Sequence, residues 1–389
     1  MFTQEENDLV THVGPGTPAG ELLRRYWHPV AFKADLTDEQ PTKFVRVLCE
    51  DLVLFKDKSG NVGLIQDHCA HRGASLLYGR VEERGIACAY HGWLYDTGGD
   101  CLECPAEPAG SKFHLTVKMR TYPVKEFIGF YWAYLGPLPA PEIAKIDVWV
   151  RQDGRRKIGL RPLLDCNWFQ AMENSADSAH LQILHQDATG REKPASTTRG
   201  FIDEIAELDY YEVPEGLMKI AAYKSGKVDA HPLIFPNILR QGDGTHIRVP
   251  IDDEHTMIWD VRFVPTPDGS LVESEEPEVR PFQPFKTPVD GHYPTARFRM
   301  DEVPAQDYMA WESQGPIAPR MVERLATSDR GVVMYREMML REIERVQQGH
   351  DPKWTIRDPN HEMVHTNLDE SLVHMGLITE DRKPVTARR

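Results

Sequence analysis

Cysteine is scarce. Six residues in a chain of 389 cannot form a disulfide scaffold, which excludes the small secreted proteins that depend on one. Long apolar runs are missing too. No stretch approaches the roughly 18 to 20 apolar residues that a bilayer demands, which excludes a spanning helix. Basic charge is in short supply. Lys and Arg number 45 against 60 Asp and Glu, and a net charge of −15 would repel a polyanion, which excludes nucleic acid as a partner. The opening MFTQEENDLV has neither the basic nor the apolar region of a signal peptide, so the expected compartment is the cytoplasm. Repeats and low-complexity tracts are also missing. What is present is a chain with 41% apolar and 27% charged residues, long enough for two cored domains.

The pattern changes along the chain. Residues 15–27 (PGTPAGELLRRYW) read as a short helix. From about residue 42 to 135, short β-rich runs such as KFVRVLCEDLVLFKD and VGLIQD alternate with Gly, Asp and Asn turns. FIGFYWAYLG closes that region, and the Pro-rich GPLPAPE reads as a linker. The remainder reads as helices with antiparallel strands. Residues 165–186 are expected to be helical, as is PAQDYMAWESQ from Pro304 to Gly315-Pro316. A longer helix is expected from a Ser328-Asp329 cap to Gly349, with Val332, Tyr335, Met339 and Ile343 as a core-facing stripe. The expected fold class is α+β, and the expected boundaries are 1–40 (helical, packing on the last segment), 41–140 (all-β) and 141–389 (helices with antiparallel strands).

The cysteines cluster. DHCAHRG carries Cys69 and His71; after sixteen intervening residues, CAYHGW carries Cys88 and His91. Each half offers one thiolate and one imidazole. Two cysteines on one iron and two histidines on the other hold a Rieske-type 2Fe–2S cluster. Neutral imidazoles in place of two thiolates raise its reduction potential, so it can accept electrons from a flavin or ferredoxin. A Cys2His2 zinc site is the alternative for such spacing. Gly73 and Gly92 favour the cluster, whose sulfides want tight turns and close backbone amides. Cys101 and Cys104 form a CxxC with no second pair beside it, and read as a loop trailing this region. His68 reads as structural.

A second constellation lies in NWFQAMENSADSAHLQILH, with Asp177, His180 and His185. Asp177 and His180, three apart, would share a helix face. His180 and His185, five apart, would sit roughly 140° apart on a regular helix. A bend, π-bulge or helix end is therefore expected between them. Two histidines with a carboxylate form the facial triad of non-haem Fe(II) enzymes.

The order of these motifs resembles the Rieske non-haem iron aromatic-ring-hydroxylating oxygenases. The Cys-x-His and Cys-x-x-His pairs come first, then the Pro-rich link, then Asn167-Trp168, Glu173-Asn174 and Asp-x-x-His-x4-His. VGPGTPAGELLRRYWHPVA and QDYMAWESQGPIAPR are similar to the phthalate 4,5-dioxygenase-like branch. The resemblance implies an oxygenase component with an all-β Rieske domain followed by a helix-plus-antiparallel-sheet catalytic domain. It implies Asp307 as the third Fe(II) ligand, with Asp301 and Asp329 as the other candidates. It implies Asp177 as an electron-transfer bridge between His180 and His91 of another chain, in a homotrimer or stacked trimers. It further implies O2 and a small aromatic substrate, and electrons from NADH through a separate reductase of flavin and ferredoxin type. One or two oxygen atoms would enter the product, so dioxygenase and monooxygenase or demethylase outcomes both stand. The resemblance implies an aromatic acid or an aryl ether as substrate; an acid would want a pocket arginine, for which Arg199, Arg240 and Arg248 are candidates. Asn174 could shape access to iron or bond within the core. A pure Rieske electron carrier would not need the chain beyond the linker.

Overall fold

The structure, a computed structural model, describes residues 2–185, 205–224, 226, 228–273, 275–289, 292–364 and 366. Its helices are α1 (Gln4–Thr11), α2 (Pro18–Leu23), α3 (Asp147–Val150), α4 (Trp168–Ala176), α5 (Ala179–Ile183), α6 (Val303–Glu312) and α7 (Arg330–Gln347). Among the described residues, no helix is long and apolar enough to cross a membrane.

Alternation in the strands sorts side chains between two cores. In the strand Glu50–Lys56, Leu52 and Leu54 enter the main core, while Val53 and Phe55 face a smaller one with Cys69, Cys88, Tyr95 and Trp93. Period two in an extended chain requires that split. This strand belongs to a four-stranded sheet with Thr42–Val47, Val62–Gln66 and Thr121–Tyr122. A second four-stranded sheet, from Arg80–Glu82 to Cys101–Glu103, faces the smaller core.

The later half is built on an eight-stranded sheet. All its pairings are antiparallel except one edge, where Gly154–Leu160 runs parallel to Glu278–Arg280. α7 buries Val332, Tyr335, Met339 and Ile343 as the stripe requires, and Phe169 of α4 stacks on Tyr335 at 5.4 Å. The aromatic rings of Phe130, Trp132, Trp149 and Trp259 join the strand Phe130–Tyr134 to the large sheet.

Residues 165–185 contain a break besides the one expected between His180 and His185. α4 stops at Ala176 and α5 begins at Ala179. The reason is local. The Asp177 carboxylate accepts the backbone N–H groups of Ala179 (2.7 Å) and His180 (3.3 Å), offering them partners outside a continuing helix.

Candidate metal centres

The cluster loops are paired turns. Gly73 N–H donates to the Cys69 carbonyl at 2.8 Å and Gly92 N–H to that of Cys88 at 2.9 Å. Both glycines have positive φ, +70° and +73°, where a side chain is strained. Their amides thus close the tight turns expected at these glycines. Cys69 and Cys88 come together on the buried side, while the His71 and His91 rings lie 4.4 Å apart on the outer side. Trp93 stacks on His71 at 4.5 Å, and Tyr95 Oη lies 3.2 Å from Cys69 Sγ. Burial pushes the Cys69 thiol above its ordinary pKa, and the Tyr95 hydroxyl works against that rise. His91 is held low by desolvation and by His71 and Arg72. Two converging thiols inside and two converging imidazoles outside fit a Cys2His2 2Fe–2S cluster.

Cys101 and Cys104 are not a trailing loop. They are buried in this same core, Cys101 on a strand of the second sheet, with their sulfurs 3.6 Å apart. His68 keeps a structural bond, its Nδ1 lying 3.1 Å from the Gly73 carbonyl.

The second centre unites distant parts of the chain. His180 lies on α5 and His185 just beyond its end, so the helix end falls between them as required. α6 brings Asp307 to both. Its Oδ1 lies 3.3 Å from His185 Nε2 and 3.8 Å from His180 Nε2. Among the described residues, these three form the one His/Cys/Asp/Glu group whose ligand atoms all lie within 4.8 Å of one another. Asp301 and Asp329 are not in it. Asp329 instead accepts the Ala326 N–H at 2.6 Å. Asp307 sits in the second turn of α6, so a first-turn role at the helix dipole does not explain it.

The surroundings leave this group open for a cation. Each imidazole has its Nδ1 engaged behind it, His180 with Asp177 Oδ2 at 3.3 Å and His185 with Gln306 Oε1 at 2.8 Å. Both Nε2 atoms therefore face Asp307, whose buried Oδ1 has no hydrogen-bond partner among the described residues. Burial alone would raise Asp307, yet His185, His180 and Arg161 hold it below the ordinary carboxylate value. Burial would likewise lower His185, but Asp307 and Gln306 raise it. A metal ion would supply the positive charge this donor set seeks, and two imidazoles with one carboxylate suit Fe(II).

Asp177 contacts His180 through loop geometry rather than a shared helix face, since it caps the end of α4. The ammonium of Lys219, buried on the strand Gly216–Tyr223, donates to the Asp177 carbonyl at 3.1 Å; burial lowers its pKa to about 8. Arg248 is buried with its guanidinium 5.8 Å from the Trp311 ring; its Nη1 donates to the His246 carbonyl at 3.4 Å, while its Nε and the Trp311 Nε1 have no hydrogen-bond partner among the described residues. Burial brings Arg248 down to about 10, against the pull of Asp307. Arg240 is drawn elsewhere. It bonds Thr366 at 3.1 Å and Asp147 at 3.3 Å, a buried clamp away from the triad. Asn174 is half-buried in the last turn of α4, and its carbonyl accepts the Asp177 N–H at 3.1 Å. Arg199 lies outside the described residues. Gln306, Lys219, Tyr95 and Trp93 were not singled out from sequence. Proximity to the motifs was the one available sign, and only for Gln306, Tyr95 and Trp93.

Residues 26–123 match the Rieske [2Fe-2S] domain family, and residues 291–366 match the LigXa C-terminal domain like family. The chain is 38% identical to the 5,5'-dehydrodivanillate O-demethylase oxygenase subunit of Sphingobium sp. (strain NBRC 103272 / SYK-6), over 98% of this chain and 90% of that one. It is 33% identical to the phthalate 4,5-dioxygenase oxygenase subunit of Pseudomonas putida, over 90% and 88%. In fold it is similar to the terminal oxygenase of carbazole 1,9a-dioxygenase from Nocardioides aromaticivorans IC177. That match has a TM-score of 0.58 and 18% identity, and covers 87% of this chain and 96% of that one. Similarity at this level along nearly the whole chain, together with a cluster fold and a His/His/Asp centre, makes this protein a Rieske-type oxygenase, an alpha subunit of the branch that holds the dehydrodivanillate O-demethylase and phthalate dioxygenase.

Proposed function

We propose that this chain is the terminal oxygenase for a carboxylated aromatic compound, an aromatic acid or aryl ether acid, with O2 and with electrons that a separate reductase draws from NADH. The observation that carries the substrate class is Arg248. It is a buried cation for which no carboxylate partner is recorded among the described residues, it lies against Trp311, and it is within electrostatic reach of Asp307. A substrate carboxylate would satisfy its free Nε, and Trp311 offers an aromatic surface beside it.

In this reading Cys69, His71, Cys88 and His91 hold the cluster, and His180, His185 and Asp307 hold the iron. Iron at that triad would supply O2 activation through the coordination positions three ligands leave open. The protein's own residues orient the imidazoles, bind the acid and exclude water. Asp177, partly exposed behind His180, serves as the electron bridge to His91 of a neighbouring chain in a homotrimer or stacked trimers. The division into residues 1–40, 41–140 and 141–389 belongs to this proposal. Packing of α1 and α2 near α7 supports it for the first segment.

The 38% identity to an O-demethylase favours removal of an aryl methyl group over ring dihydroxylation. The balance would be aryl methyl ether, O2, NADH and a proton giving phenol, formaldehyde, water and NAD+. O2 uptake with a matched reductase, NADH and a panel of methoxybenzoates and phthalates tests this, with products read by mass spectrometry. Formaldehyde and a phenol are expected; a cis-dihydrodiol would show the dioxygenase outcome instead. Arg248→Met should raise KM for acids roughly 10- to 100-fold and leave neutral aryl ethers little affected. Equal effects on both would remove the acid reading.

A further inference from the structure

The two histidines of the triad are backed by different chemistry. Behind His180 stands a carboxylate, Asp177; behind His185 stands a neutral amide, Gln306. The Gln306 side chain is fixed at both ends. Its Nε2 donates to the Met300 carbonyl at 2.8 Å, and its Oε1 faces His185 Nδ1 at 2.8 Å. Turning the amide over would set Oε1 against a carbonyl oxygen, so the acceptor end is the one aimed at the ring. A hydrogen-bond acceptor at Nδ1 demands a proton there. The lone pair is then on Nε2, which faces Asp307 Oδ1 at 3.3 Å. The His185 side chain is only 1% exposed, so the ring is shielded from bulk solvent.

We propose that Gln306 is the positioning residue of His185: it fixes the Nδ1-protonated tautomer and so presents the Nε2 lone pair to iron. This rests on the reading of His185 as an iron ligand. Gln306 precedes Asp307 on α6, so one helix turn supplies both a ligand and the orienting group for another. A carboxylate acceptor draws on the imidazole proton and makes the ring a stronger donor, whereas an amide orients it without added charge. The uncharged amide keeps the count of anions at the triad to Asp307 and Asp177. Loss of a hydrogen-bond partner behind a metal-bound histidine typically costs 10- to 100-fold in metal affinity.

The test is the rate at which holoenzyme yields its mononuclear iron to a ferrous chelator, with the cluster's visible absorbance as the folding control. Gln306→Leu should release that iron roughly 10- to 100-fold faster, and Gln306→Glu, which restores an acceptor, should return the rate to within a few-fold of the parent. Gln306→Met, close in length and without an acceptor of comparable strength, should behave like the Leu variant if that one folds poorly. Unchanged release in the Leu and Met variants would overturn the proposal. So would equal acceleration in the Glu variant, which would mean a packing role. Parent protein holding no iron beyond the cluster, or His185→Ala retaining it, would overturn the ligand reading instead.

Discussion

The cluster loops draw all four candidate ligands from residues 69–91, within two hairpin turns closed by their own glycines. The candidate iron triad joins His180 and His185 to Asp307 on a helix far along the chain. The first site is local and presents its histidines outward. The second is remote in sequence, and α4, the helix before its histidines, carries buried charge: Glu173 is held by Arg320 at 2.7 and 2.8 Å and by Arg336 at 2.6 Å. Burial would lift Glu173, but the two arginines keep it below the ordinary carboxylate value. A local site needs turn chemistry; a remote one needs the whole core to fold correctly before it exists.

The comparison can be broken by removing one ligand from each side. Cys88→Ala should abolish the cluster absorbance completely and leave the mononuclear iron, measured by metal analysis. Loss of both metals would mean the two regions are not independent. Asp307→Ala should do the reverse, keeping the absorbance while one iron per chain and O2 uptake are lost. The remote site's dependence on the core is sharpened by Glu173→Gln. Losing that charge leaves Arg320 without a carboxylate partner among the described residues and Arg336 with Glu323 alone, which should cost about 3 kcal/mol in urea denaturation, with no change at the cluster in the folded protein.

Acid should act on the core that both regions share. Burial holds His28 and His246 down to about 4. An unfolded chain protonates these rings near the ordinary value of about 6.5, so it binds more protons between the two values. Stability therefore falls as pH drops through that window, by about 2 kcal/mol per histidine between pH 7 and 5. His28→Gln should flatten the fall; an unchanged slope would discount that histidine. Last, Tyr95→Phe removes the O–H beside Cys69 Sγ. Since that bond favours the more negative reduced cluster, the potential should fall by up to roughly 60 mV in an EPR redox titration.

The cluster motif was legible because its chemistry is written in adjacent letters, and Gly73 and Gly92 mark the turns. The α7 stripe was legible because helical period repeats along one element. The helix end between His180 and His185 was legible, because five-residue spacing demanded it. The break at Asp177 was not, because a carboxylate choosing nearby N–H groups fixed where α4 stops. Arg240 and Arg248 looked alike as sequence; pairing with Asp147 and Thr366 separates them, and only packing reveals it.

The sequence by itself determined the donor types and the two places where they cluster, because thiolates, imidazoles and turn glycines act over a few residues. Tertiary structure alone decided that Asp307 meets His180 and His185, that Gln306 stands behind His185, and that Arg248 stays without a carboxylate partner among the described residues. Those relations depend on how α6 and the eight-stranded sheet close around α4 and α5, and no short-range pattern encodes a contact made across the core.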